Sequence, residues 1–211
     1  MLRRYKNNPI LKPVKEHPWE SRRVFNCAAV YDGNAVHILY RAQGGENGVS
    51  KLGYAYSSDG YHIDERFKKP IFSPLPDNFF EAFGCEDPRL TKMGDKYYMC
   101  YTAYGRFRRW RRAGSKMRLA QVGITSIPAE DFLNRRWNWG ARIYPFPRVD
   151  SKNCVLLPER VNGLYAIYHR IPPHVWIAYS TKIDDWSNSS HKIVMSPREP
   201  WESMKVGAGA P

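Results

Sequence analysis

One pattern recurs three times along the 211 residues and limits what the chain can fold into. VFNCAAV (24–30) leads through a Gly turn to HILYRA (37–42), and LGYAYSSDG (52–60) and KPIFSP (69–74) follow. The second copy reads CEDPRLT (85–91), YYMCYTAY (97–104), LAQVGITS (119–126) and ARIYPFP (141–147). The third reads KNCVLLPE (152–159), LYAIYHR (164–170), VWIAYSTKIDDW (175–186) and HKIVMSP (191–197). Short runs of β-branched and aromatic residues bounded by turns read as strands. The dipeptides Asp32-Gly33, Gly94-Asp95 and Asn162-Gly163 between the first two runs of each copy are hairpin turns. Asn26, Asp87 and Asn153 hold equivalent places, 61 and 66 residues apart. The flanks echo as well: HPWESRRVFN (17–26) against EPWESMKVGAG (199–209).

Four strands per unit, at a period of roughly 60 residues, describe a β-propeller blade with long loops. The expected organisation is one all-β domain over 1–211, with blades at 19–75, 83–147 and 152–198 and the start of a fourth at 199–211. A closed ring takes at least about four blades, so the chain is expected to be an N-terminal part of a longer propeller. The competing reading is a β-sandwich built from three unrelated hairpin pairs.

Composition narrows the function classes. No apolar run approaches the roughly 18–20 residues of a membrane span. Seven Trp, 14 Tyr and 9 Phe spread along the chain argue against disorder. MLRRY at the start lacks an apolar stretch after its charges, so it does not read as a signal peptide. Cys27, Cys85, Cys100 and Cys154 form no CxxC pair, so neither a zinc site nor a disulfide framework is expected. The expected compartment is reducing and cytoplasmic. Thirty-three Lys and Arg against 20 Asp and Glu give a net charge of +13. Seven of these cations lie in residues 105–118, interleaved with Phe107 and Trp110. That run reads first as a solvated loop at a channel mouth. It could also contact a partner subunit of a homo-oligomer or a long sugar, and the rival reading is a nucleic-acid backbone with aromatic stacking.

A hairpin returns to its origin, so the start of strand one and the end of strand two meet at one rim. Each copy places polar residues there: Asn26 and Arg41; Glu86, Asp87 and Thr102; Lys152, Asn153, His169 and Arg170. Polar residues at matching positions in apolar strands are costly in a core and reasonable in a solvated channel that binds something. Pro88 is expected to hold Asp87 extended. Lys152 and Arg170 flank one hairpin and suit a dianion. Alternation turns His169 away from the rim, and Glu159 sits far from it. The structural alternatives are an Asp87–Arg89 ion pair and an Arg170 pair with Glu159 or Asp150.

In their order, NPIL (8–11), WESRRVFNCAAV (19–30), LYRA (39–42), LGYAYSSDG (52–60), CEDPRLT (85–91), YTAY (101–104), KNCVLLPERVNGLYAIYHR (152–170), VWIAYS (175–180) and KVGAGAP (205–211) resemble glycoside hydrolase family 130. This family comprises β-mannoside phosphorylases and related mannosidases. The resemblance implies a five-bladed β-propeller, of which this chain would hold about three and a half blades. The implied reaction is inverting phosphorolysis of a β-mannoside to α-mannose 1-phosphate; the alternatives are hydrolysis by a β-mannosidase on the same scaffold and a non-catalytic sugar- or nucleic-acid-binding propeller. Asp87 would be the general acid, delivering its proton through the sugar's own 3-hydroxyl. Asn26, Arg41 and Glu86 would bind the mannosyl unit, and Lys152 and Arg170 the phosphate. The expected ligands are a β-linked manno-oligosaccharide, mannosyl-glucose or mannosyl-N-acetylglucosamine, together with inorganic phosphate. No other cofactor and no metal are implied. The run 105–118 and residues 128–140 depart from the family by being longer and more basic.

Overall fold

Eleven strands and a single five-residue helix make up the regular structure of the computed structural model, which describes residues 3–106 and 118–209. The first sheet contains β1 (Arg23–Tyr31), β2 (Val36–Gln43), β3 (Lys51–Ser57) and β4 (Glu65–Arg66), in that order. The second contains β5 (Gly84–Met93), β6 (Lys96–Arg106) and β7 (Arg118–Pro128). The third contains β8 (Lys152–Leu156), β9 (Tyr165–Ile171), β10 (His174–Ser180) and β11 (Ser190–Met195). Every pairing within a sheet is antiparallel between chain neighbours, and none of the three sheets closes on itself. The Asn162–Gly163 turn has positive φ at both central residues, 51° and 79°, as a two-residue turn matched to strand twist requires.

The expected fourth strands are shorter than the sequence suggested. In the first sheet β4 covers only 65–66, and the 69–74 run contributes one bridge, Phe72 to Leu52. In the second, the 141–147 run contributes one bridge, Ile143 to Ile124. Pro70, Pro74, Pro145 and Pro147 bracket these runs, and proline cannot donate to a ladder. The helix α1 (Ala129–Leu133) follows Pro128 and carries Glu130 and Asp131 in its first turn, where acids suit the helix dipole.

The sheets stand side by side, with β1 next to β5 and β5 next to β8. Apolar residues fill the space between successive sheets. Leu39, Leu52, Tyr54, Phe72, Met99, Tyr101 and Phe132 pack between the first and second. Cys100, Val122, Ile124, Phe146, Leu156, Ile167 and Trp186 pack between the second and third. Among the described residues no helix is long and apolar enough to cross a membrane.

The first two sheets share a buried polar hub that the sequence reading missed. Glu20, in a short 3-10 turn before β1, accepts from the Tyr40 hydroxyl (3.0 Å) and from Arg66 (2.5 Å). Glu81, in the corresponding turn before β5, accepts from the Tyr101 hydroxyl (2.5 Å), the Tyr144 hydroxyl (3.0 Å) and Arg142. Burial, with the Glu81 charge adding to it, holds the Tyr101 phenol well above its ordinary pKa. Gly53 and Gly123 lie against the two tyrosine rings, where an added Cβ would stand 2.4 Å from a ring carbon. In the third sheet the place of these tyrosines is taken by His169, opposite Lys152-Asn153-Cys154 in the β8–β9 ladder. It bonds Ser151 (3.0 Å) and His191 (3.1 Å).

Candidate functional site

Each sheet bends at the same point of its first strand. The register slips between Phe25 and Cys27, between Glu86 and Arg89, and between Lys152 and Val155. One residue in each slip has a left-handed backbone: Asn26 (φ 47°), Asp87 (φ 52°) and Asn153 (φ 56°). A bulge inserts an extra residue and re-aims its side chain, and Asn and Asp are the non-glycine types that tolerate positive φ best. The expectation of an extended Asp87 is therefore corrected, because the bulge overrides the bias imposed by Pro88. The equivalence of the three positions, read from spacing, is a backbone equivalence.

The three bulges open on one cavity of about 530 Å³, lined by Asn26, Cys27, Arg41, Asp87, Pro88, Arg89, Lys152, Asn153 and Arg170. Asp87 is anchored through one oxygen: Oδ1 accepts from Asn26 Nδ2 (2.8 Å) and from Arg41 Nη1 (3.0 Å). Arg41 reaches Glu86 Oε1 through Nη2 (2.5 Å) and Ser50 Oγ through Nε (3.0 Å), and its guanidinium lies over the Phe25 ring. Glu86 is buried beneath the cavity and accepts from Lys152 Nζ through its other oxygen (3.3 Å). Lys152 and Arg170 are directly opposite in the β8–β9 ladder and reach one rim, as the hairpin argument required.

Asp87 pairs with Arg41, while Arg89 donates to the carbonyls of Ala208 and Gly209. Glu159 is exposed, and Asp150 accepts from the Ala120 amide, so neither answers Arg170. Thr102 is buried opposite Glu86 and does not line the cavity. His169 turns into the core as alternation predicted, and burial followed by the nearby His191 pushes its pKa down to about 4.

Sequence reasoning missed Arg89 and Cys27 as lining residues and Ser50 as a support, while Asn153, placed at the rim from the sequence, does line the cavity. Arg89 was weighed only as a partner of Asp87, although two residues beyond a bulge the strand returns to the face the bulge residue left. Burial lowers the Arg89 pKa from its ordinary value. Gly207 and Ala208 lie against two of the lining residues: Asn153 Nδ2 donates to the Ala208 carbonyl (3.2 Å), and a Cβ on Gly207 would stand 3.1 Å from Arg170 Nη1. Four cations and one carboxylate among the lining residues make the wall electropositive beside a single acid, a chemistry suited to an anion. Of the basic run, 107–117 lies outside the described residues; its ends Arg106 and Arg118 pair across β6 and β7, and both lie over the Phe83 ring.

A family profile described as beta-1,4-mannooligosaccharide phosphorylase matches residues 1–211. A beta-1,2-mannobiose phosphorylase of Thermoanaerobacter sp. (strain X514) is 40% identical over 224 residues, covering 100% of this chain and 67% of the relative. A 1,2-beta-oligomannan phosphorylase of the same organism is 35% identical, again covering 100% of this chain and 67% of the relative. A solved structure, from work on GH130 glycoside hydrolases that target β-1,2-mannosidic linkages in Candida mannan, superposes with a TM-score of 0.72 at 26% identity, covering 93% of this chain. The chain spans about two thirds of the length of these two curated relatives and 61% of that solved chain.

Proposed function

Because the chain belongs to glycoside hydrolase family 130, we propose that the cavity where β1, β5 and β8 bend cleaves a β-mannoside by phosphorolysis. The products are α-mannose 1-phosphate and a shortened sugar. The observation that carries this reading is the wall itself: one anchored carboxylate, Asp87, shares a cavity with Arg89, Lys152 and Arg170. A glycosidase that activates water uses two carboxyl groups. Phosphate is already a nucleophile, so one acid and a set of cations are enough.

In this reading Lys152 and Arg170 bind the phosphate through charge-assisted hydrogen bonds, on the face of the sugar opposite Asp87. Asn26, Arg41 and Glu86 hold the mannosyl unit. The two contacts to Asp87 Oδ1 leave Oδ2 to pass a proton, through the mannosyl 3-hydroxyl, to the departing oxygen. A β-1,2 linkage is preferred over β-1,4, which is supported by the 40% and 35% identical relatives. The three sheets are read as blades of a five-bladed propeller forming one domain. Support comes from the adjacent first strands, the thrice-repeated bulge and the second Pro-Trp-Glu 3-10 turn at Pro200–Glu202.

The test is product analysis on β-1,2-mannobiose with and without inorganic phosphate. Mannose 1-phosphate appearing only with phosphate supports the reading. Charge-assisted hydrogen bonds worth about 1.5–3 kcal/mol put the rise in KM for phosphate at about 10- to 100-fold in Lys152→Ala or Arg170→Ala. Free mannose released equally in both conditions would replace phosphorolysis with hydrolysis.

A further inference from the structure

A fully buried serine that none of the mechanistic roles above uses sits where the first two sheets join. Ser50 lies just ahead of β3 and makes a parallel bridge to Gly84 at the start of β5, where the Cys85 amide donates to its carbonyl (3.0 Å). Its position is tightly set: Gly84 has φ 140°, and a Cβ there would stand 2.7 Å from both the Cβ and the amide nitrogen of Ser50. The serine hydroxyl is thus delivered by backbone to a fixed point between β2 and β5.

That hydroxyl is saturated. It accepts from Arg41 Nε (3.0 Å) and from Gln43 Nε2 (2.9 Å), and it donates to Glu86 Oε1 (3.2 Å). A hydroxyl offers one donor and two acceptor sites, so all its capacity is used. Two of its three partners are groups assigned to the mannosyl unit, one from each sheet. The Arg41 guanidinium is thereby fixed at all three nitrogens: Nε by Ser50, Nη1 by Asp87 and Nη2 by Glu86.

We propose that Ser50 is a positioning residue of this site, whose hydroxyl locks the Arg41 guanidinium and the Glu86 carboxylate into the arrangement that receives the mannosyl unit. It does not touch substrate. It acts through Arg41, so its loss lets the guanidinium turn about its stem and loosens the hold on both carboxylates. The phosphate side is reached less, because Arg170 is placed by the β8–β9 ladder and Lys152 donates to Glu86 Oε2, not to the Oε1 that Ser50 holds. This inference rests on the phosphorolytic reading for its kinetic consequences and on geometry alone for its effect on Arg41.

The experiment compares wild type with Ser50→Ala and with Ser50→Cys, which puts a slightly larger and weaker hydrogen-bonding atom in the same place. Expected for Ser50→Ala is a 10- to 30-fold loss of kcat/KM for the mannoside, with KM for phosphate changed less than threefold, and a smaller loss for Ser50→Cys. A purely structural role would lower the folded fraction and leave both KM values where they were. In parallel, the Arg41 Nε–H resonance, assigned by its disappearance in Arg41→Lys, is followed without substrate. Its hydrogen exchange should accelerate at least tenfold in Ser50→Ala. An unchanged kcat/KM for the mannoside with an unchanged Arg41 signal overturns the proposal. Absence of phosphate-dependent cleavage in wild type overturns the phosphorolytic reading instead, and the Arg41 signal then decides for or against Ser50 by itself.

Discussion

If Asp87 is the general acid of the proposed phosphorolysis, replacing it with Asn removes the proton that the reaction needs while preserving nearly everything else. The backbone at Asp87 has φ 52°, a value Asn adopts as readily as Asp. The amide oxygen can still accept from Asn26 Nδ2 and Arg41 Nη1, at present 2.8 and 3.0 Å away. What changes is that two charge-assisted bonds become neutral, a loss of about 1 kcal/mol each at the most. The Asp87 side chain is 20% exposed and Arg41 keeps Glu86, so the net cost should be about 1 kcal/mol, or roughly 2–4 °C in Tm. General acid catalysis is worth about 10²–10⁴-fold, so kcat should fall by that factor while the KM for mannoside moves by less than about threefold. Asp87→Ala separates chemistry from architecture. It should lose as much kcat, but alanine at positive φ adds about 1–2 kcal/mol of strain and should roughly double the drop in Tm. The assay is steady-state phosphorolysis with calorimetry on the same samples. Retention of more than about a tenth of wild-type kcat in Asp87→Asn would show that Asp87 is not the acid.

Two further expectations concern stability. Glu81→Ala should destabilise the fold by about 3–5 kcal/mol in urea titration, since it strands Arg142 and two tyrosine hydroxyls in a buried hub, and kcat per folded molecule should stay within about twofold. His169 has its pKa pushed down to about 4 by burial and then by His191. A histidine with a depressed folded-state pKa contributes stability fully above its unfolded pKa of about 6.5 and loses it as pH falls through the interval down to about 4. The loss should total about 3 kcal/mol, and His169→Gln should flatten Tm against pH across that window; an unchanged slope would refute the assignment to His169.

The strands were legible because their runs are short, aromatic and punctuated, and because Asn162-Gly163 has one good conformational use. The fourth strands of the first two sheets were over-read: residues 69–74 and 141–147 have strand-like apolar content, but their prolines withhold the donors that pairing needs. The helix at 129–133 was missed although Pro128 followed by Glu130 and Asp131 is a helix-start pattern. Of the polar interruptions at repeat-equivalent positions, Asn26, Arg41, Asp87, Lys152, Asn153 and Arg170 line the cavity, and Glu86, Thr102 and His169 are buried. They did not find Ser50, because a serine before a strand reads as turn chemistry until the second sheet is placed against it. The Glu20 and Glu81 hubs carry a signal that went unused: each acid stands six residues before its bulge residue, and a tyrosine of the second strand, Tyr40 or Tyr101, faces the slip itself.

The three left-handed bulge residues make the fold and the chemistry separately inheritable. Asn26, Asp87 and Asn153 occupy the same backbone socket, at φ 47°, 52° and 56°, and all three line one cavity. Asn and Asp are nearly the same size and tolerate that socket about equally, so exchanging one for the other changes charge without asking the strand to refold. A repeat of this kind therefore copies an address for an acid without copying the acid. Around this cavity there are three such addresses and one occupant. Silencing the site, or moving its acid to a neighbouring sheet, takes only amide-for-carboxylate exchanges, which the backbone accommodates at a small cost in stability.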